Sequence, residues 1–198
     1  MYSIRCFTVT ALVCLSFVLA KATIEPRTGI SFPDKLQGSQ LSNLGVRTKG
    51  PIKVYAVGKY DDTFLLQMSY GIGSQKMSSA LVDALKPRCS DTKAIDEFET
   101  LMMNGLPDGA KKGTKLTFTT GGGKLSLNVN NKNVGKVSSK QLATAFSGIY
   151  TDKNAVCELK PIGEDGSDDT NGRIPFFSPQ NCAIIGGTLG YGIGKLFS

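Results

Sequence analysis

Arg47 and Tyr55 are the two side chains whose types and spacing best suit chemistry. Arg47 closes the run Leu44-Gly45-Val46-Arg47, and Tyr55 follows eight residues later inside Ile52–Tyr60, IKVYAVGKY. An arginine at the end of an apolar strand offers a fixed charge and a forked set of donors for an oxyanion. A tyrosine hydroxyl on the next strand can give the same anion a second hydrogen bond. The spacing also fits an exposed strand-end arginine and a half-buried tyrosine that only pack. The chain has no histidine, which excludes Ser-His and Cys-His nucleophile pairs and every His-ligated zinc site. Its 5 cysteines form no CxxC pair, so zinc ribbons and thioredoxin-type redox motifs are excluded too. Gly121-Gly122-Gly123 lacks the GK[ST] ending of a phosphate loop and joins two strands rather than a strand and a helix.

The elements that must hold Arg47 and Tyr55 can be read from periodicity. Ile52–Tyr60 alternates, with Ile52, Val54 and Ala56 expected on one face and Lys53, Tyr55 and Val57 on the other. Thr63–Tyr70 is a second β-rich run, and Asp61-Asp62 makes the two a hairpin. Met77, Ala80, Leu81, Ala84 and Leu85 repeat at helical spacing until Pro87. Ser90 or Asp91 can cap a second helix with the stripe Ile95, Phe98, Leu101 and Met102, ended by Gly105. Lys115–Thr120 and Lys124–Asn130 read as a hairpin across the glycines, followed by a short strand to Val137. Ser138 with Gln141 forms a capping box before Leu142, Ala145, Phe146 and Ile149. The order implies an α+β fold in which helices cover one face of an antiparallel sheet and enclose an elongated apolar pocket.

Composition sets the frame. The 198 residues, 40% hydrophobic and 20% charged, suit one domain with tails. Residues 1–22 read as a secretory signal: Arg5, then no charge from Cys6 to Ala20, then Ala20-Lys21-Ala22 as a small-x-small cleavage site. This predicts the ER lumen or secretion, with a plastid reached through a signal-bearing presequence as the alternative. Removal of 1–22 takes away two of the 23 cations and none of the 16 acids, leaving +5. Those charges are scattered without interleaved aromatics, so nucleic acid is not an expected partner. Cys89, Cys157 and Cys182 remain, of which one pair can bridge in an oxidising compartment. After a domain at 23–160, residues 161–180 read as a flexible linker, acidic and glycine-rich over GEDGSDDTNG. Residues 181–198 form an apolar tail in which Gly186, Gly190 and Gly194 give a flat stripe suited to membrane contact or self-association.

The stretch GVRTKGPIKVYAVGKY resembles a block of the chalcone isomerase superfamily, G-V-R followed by V-Y-A-x-G-x-Y. KMSSALVDALKPR at 76–88, LPDG at 106–109, GTKLTF at 113–118 and the segment 138–156 resemble further blocks in the same order. The resemblance spans about 28–160 and implies an open-faced β-sandwich, a large antiparallel sheet with helices packed on one face. It also implies one of two functions. True chalcone isomerases close a chalcone to a flavanone by adding a phenolate oxygen to an enone. Fatty-acid-binding members hold a long-chain carboxylate in the same cleft and do no chemistry.

The resemblance separates these branches at individual positions. Both use the arginine of the G-V-R block, here Arg47. The enzymes place a threonine on the next strand, where this chain has Tyr55 and the fatty-acid binders have a tyrosine. The tyrosine, lysine and asparagine that the enzymes use on the first long helix fall here on Lys76, Ser79 and Asp83. Losing one aligned donor typically costs a hundredfold or more in rate. The expectation is therefore a non-catalytic binder of a fatty acid or similar amphipathic carboxylate, gripped by Arg47 and Tyr55. Lys76, Leu81, Leu85, Phe98 and Phe146 are the candidate cleft-lining residues. No catalytic residue, metal or cofactor is assigned. The alternatives are a chalcone–flavanone isomerase with a rearranged donor set, and a scaffold protein acting through its glycine-rich tail.

Overall fold

The computed structural model describes residues 21–162. The tail, and all but the edges of the leader and linker, lie outside the described residues. Seven strands build the main sheet: β5 (Asn43–Lys49), β6 (Ile52–Tyr60), β7 (Thr63–Met68), β8 (Lys115–Thr119), β9 (Leu125–Val129), β10 (Lys132–Val137) and β11 (Leu159–Pro161). Their spatial order is β10-β9-β8-β7-β6-β5-β11. Every neighbouring pair is antiparallel. The register Tyr60↔Thr63 closes a two-residue turn at Asp61-Asp62, with Asp61 at φ 45°. The glycines at 121–123 form a short 3₁₀ turn between β8 and β9.

Three helices, α1 (Ser74–Leu85), α2 (Thr92–Gly105) and α3 (Lys140–Thr151), follow the expected apolar stripes. All three pack on one face of the sheet. Of the two cap candidates for α2 it is Asp91 that serves, accepting from the Ala94 amide at 3.1 Å. Ser90 instead accepts from Gln141 of α3 at 2.8 Å. The capping box expected at Ser138 is displaced by one residue. Ser139 caps α3 by accepting from the Leu142 amide at 3.3 Å and donates to the Asp91 carboxylate at 2.9 Å. Gln141 is thereby turned toward its neighbour helix rather than back on its own first turn.

The core between sheet and helices is centred on aromatic rings. Phe118 and Phe146 lie 4.5 Å apart, and Phe64 stacks on Tyr150 at 5.3 Å. Burial of each such side chain contributes roughly 1.5–3 kcal/mol.

Among the described residues, the opposite face carries no helix. It is partly covered by two short hairpins that periodicity did not reveal, β1 (Ala22–Glu25) with β2 (Ile30–Pro33) and β3 (Lys35–Leu36) with β4 (Ser39–Gln40). Phe32 of β2 and Leu41 press onto Gly58, where an added Cβ would meet them at 2.8 and 2.9 Å. They complete a smaller cluster with Val46, Ala56, Tyr60 and Leu65. The result is the open-faced arrangement that the resemblance implies.

Candidate functional site

Arg47 and Tyr55 are register partners, directly opposite each other on β5 and β6. Side chains at opposed antiparallel positions share a face with Cβ atoms about 5 Å apart. The pairing slips immediately beyond them. Thr48 opposes Lys53, so two steps on β6 match one on β5 and Val54 is the extra residue of a β-bulge. The bulge breaks the expected alternation. Val54 joins Tyr55 and Val57 on the helix side, whereas Ala56 belongs to the opposite cluster. Lys53 is turned away, toward the carbonyl of Arg27.

Gly45 has a definite task in this geometry. A Cβ there would stand 2.6 Å from the Glu158 carbonyl oxygen, so only glycine lets β11 lie against β5. That close approach brings the chain after α3 beside Arg47, whose Nη1 donates to the Val156 carbonyl. One donor of the guanidinium is thereby anchored. No other hydrogen bond or ion pair engages it among the described residues.

Arg47 and Tyr55 face a cavity of about 470 Å³ between the β5–β6 ladder and α1, within the range of small-molecule sites. Its deep wall is apolar and buried: Val54, Met77 and Leu81 beside Tyr55. Its mouth carries Lys49, Ile52, Tyr70 and Lys76, all exposed. No carboxylate lines it, while three cations do. The N-terminus of α1 opens at the same cavity, with Gly73 as a cap that makes no side-chain bond and no acid in the first turn, which adds to the positive potential. Gly109 of the LPDG segment supports this edge. Its φ is 79°, and its own Cβ position lies 2.8 Å from the Ile72 carbonyl.

The Tyr55 hydroxyl meets that of Tyr150 at 3.2 Å, one of them donating to the other. Burial pushes the Tyr55 phenol up to about 12. Burial, together with Tyr55 itself, raises Tyr150 well above its ordinary value, with Arg47 opposing. Both phenols are therefore protonated donors at neutral pH. Cys157, beside the same arginine, is pushed up to about 11 by burial, which Arg47 only partly offsets. Cys89 and Cys157 are buried and not bridged to each other.

Of the candidate lining residues, the structure brings Lys76 and Leu81 into the cavity with Arg47 and Tyr55. Leu85, Phe98 and Phe146 are not brought there and correct the expectation. Leu85 lies past Ala84, the last α1 residue to reach the cavity. Phe98 and Phe146 pack against each other at 6.1 Å and are fully buried core. Ser79 and Asp83 also fall outside the lining. Ser79 accepts from Gln75 at 3.3 Å, and Asp83 pairs with Lys86 at 3.4 Å. Residue types alone left Lys49, Tyr70, Tyr150 and Val156 unassigned. A second hollow of about 640 Å³ runs along α3, but its Arg88 is already held by Asp152 at 2.8 and 3.0 Å.

The large antiparallel sheet with helices packed on one face is the chalcone isomerase-type fold. The structure superposes on that of a fatty-acid binding protein of Arabidopsis thaliana with a TM-score of 0.61 at 21% sequence identity. The match covers 69% of this chain and 91% of that one. No protein-family model and no curated protein sequence matches the chain.

Proposed function

We propose that the protein binds a fatty acid or similar amphipathic carboxylate, without turning it over, in the cavity between β5–β6 and α1. The observation that carries this reading is the opposition of Arg47 and Tyr55 at an apolar cavity whose lining has three cations and no acid. The carboxylate would accept from the guanidinium donors that Val156 leaves free and from the Tyr55 hydroxyl. The acyl chain would lie against Val54, Met77 and Leu81. Each buried CH₂ contributes about 0.8 kcal/mol, so affinity should rise steeply with chain length until the cavity is filled. The binding activity named for the Arabidopsis neighbour agrees with this reading. If the leader at 1–22 acts as expected, binding takes place in the secretory pathway. The test is titration of the purified chain with fatty acids of graded length, beside native mass spectrometry of the protein as isolated. Absence of saturable binding at every length would refute the proposal.

The competing reading is an enone isomerase. It draws on Arg47 and on the two un-ionised phenols, Tyr55 and Tyr150, that could donate to a developing oxyanion. Against it, the helix positions used by the enzymes carry Lys76, Ser79 and Asp83, and the last two do not reach the cavity. Loss of chalcone absorbance above the spontaneous rate, abolished by Arg47→Ala, would favour it.

A further inference from the structure

Four large apolar side chains stay exposed among the described residues: Ile24, Ile52, Tyr70 and Ile162. Two of them, Ile52 at 43% and Tyr70 at 54% exposure, belong to the lining of the cavity that Arg47 and Tyr55 face. They come from different elements. Ile52 opens β6 beside Pro51 at the tip of the β5–β6 hairpin, and Tyr70 lies in the connection between β7 and α1. The bulge at Val54 is what puts Ile52 on this side of the strand, so the exposure is built by the backbone.

Cations surround this pair. Lys49 and Lys76 flank it within the lining. Lys111 and Lys112 lie alongside, their backbone within 4.0 Å of where a Gly71 side chain would begin. The acid on that loop, Asp108, is taken by Lys111 at 3.8 Å. An isoleucine and a tyrosine beside Lys49, Lys76 and Lys112, none of them in an ion pair among the described residues, match the layering of an anionic bilayer surface. Apolar and aromatic groups reach the headgroup boundary while lysines meet lipid phosphates.

We infer that the mouth of the cavity docks on anionic membrane surfaces, with Ile52 and Tyr70 entering the interface and Lys49 and Lys76 meeting the headgroups. This rests on the reading of the cavity as an acyl-chain site, since docking would set the mouth where an amphipathic acid leaves or enters the bilayer. A protein partner with an acidic face is the rival occupant. It is disfavoured by the small apolar area, two side chains, against the 20–30 residues a side of a standard protein interface.

The chain contains no tryptophan, so Tyr70→Trp places a single indole reporter at the mouth. Mixed with vesicles of phosphatidylcholine and phosphatidylglycerol, this full-length variant should shift its emission to the blue. The shift should fade with added salt and be weak with phosphatidylcholine alone. Replacing Lys49 and Lys76 by glutamine in the same background should weaken vesicle affinity roughly fivefold per lysine, with an unchanged melting curve. An emission spectrum indifferent to anionic vesicles would overturn the docking, even if the chain sediments with them through some other segment. Binding of a fluorescent fatty acid in vesicle-free solution is measured in parallel. Fatty-acid binding with no indole shift removes the docking surface alone. An indole shift with no fatty-acid binding removes the ligand assignment and leaves the surface.

Discussion

Arg47→Ala is the substitution most informative about the cavity. In the structure the guanidinium spends one Nη1 donor on the Val156 carbonyl and has no acidic partner among the described residues. A bound carboxylate would receive charge-assisted hydrogen bonds from what remains, and such a bond is worth about 1.5–3 kcal/mol. The expected loss of affinity for a long-chain fatty acid is therefore roughly ten- to 150-fold. The same substitution removes packing and leaves Val156 without its donor, and either change could weaken any ligand. The discriminating assay is therefore paired. Dissociation constants are measured for a fatty acid and for the fatty alcohol of equal chain length, in wild type and variant. The acid should lose the full factor and the alcohol only a few-fold. Equal losses for acid and alcohol would refute an anion site at Arg47, and the arginine would then be a strut between β5 and the chain after α3.

Tyr55→Phe should weaken the acid less than Arg47→Ala does, by about three- to tenfold, because a neutral hydrogen bond contributes about 0.5–1.5 kcal/mol. It should also lower the unfolding free energy by about 1 kcal/mol, since the buried Tyr150 hydroxyl loses its partner; equilibrium urea unfolding reads that directly. Fatty-acid affinity should be flat between about pH 6 and 9. The chain has no histidine, and burial pushes the Tyr55 phenol up to about 12 and the Cys157 thiol up to about 11, so an inflection inside that window would point to a different binding group. Gly45→Ala should destabilise the fold by about 1–3 kcal/mol through overpacking against the Glu158 backbone. It should also reduce acid affinity, because Val156 no longer fixes the guanidinium; a melting temperature equal to that of wild type would contradict this account. Glu25 is buried, which raises its pKa, but hydrogen bonds from Thr28 and Arg27 outweigh burial and hold it below the ordinary value. Its stabilising contribution should be complete above the ordinary glutamate value and be lost as the pH falls below about 4. Glu25→Gln should therefore flatten the acid limb of a stability–pH curve.

The central strands and all three helices were legible in the sequence because their patterns are long enough to show a period. β1–β4 and β11 were not. Each has two to four residues, too few to alternate, and each is fixed by pairing or packing partners elsewhere in the chain. Arg47 and Tyr55 could be found because residue type and block order coincided, and because both lie on the regular side of the bulge. Val54 and Ile52 were assigned to the wrong face because a period of two cannot register an extra residue. The helix stripes identified which side chains point inward. They could not distinguish Leu81, which faces a cavity, from Leu85, Phe98 and Phe146, which face solid core, because both groups are equally apolar and equally hidden from water. Tyr150 follows Ile149, the last residue of a helix stripe read from the sequence, and was not part of that stripe. Its partnership with Tyr55 spans 95 residues of sequence and has no local signature.

The extra residue at Val54 makes the character of the cavity mouth depend on strand length rather than on residue identity. Were β5 one residue longer opposite Val54, regular pairing would carry on past Tyr55. Val54 and Ile52 would then turn to the opposite face of the sheet, and Lys53 would swing to the cavity side. A single-codon insertion after Arg47 would take Ile52 and Lys49 out of the mouth and bring Lys53 and Thr48 into it, while leaving Arg47, Tyr55 and the aromatic core in register. Chains of this fold could thus change what they admit, and what surface they meet, through small insertions and deletions near one hairpin tip, a route that substitution-by-substitution comparison would overlook.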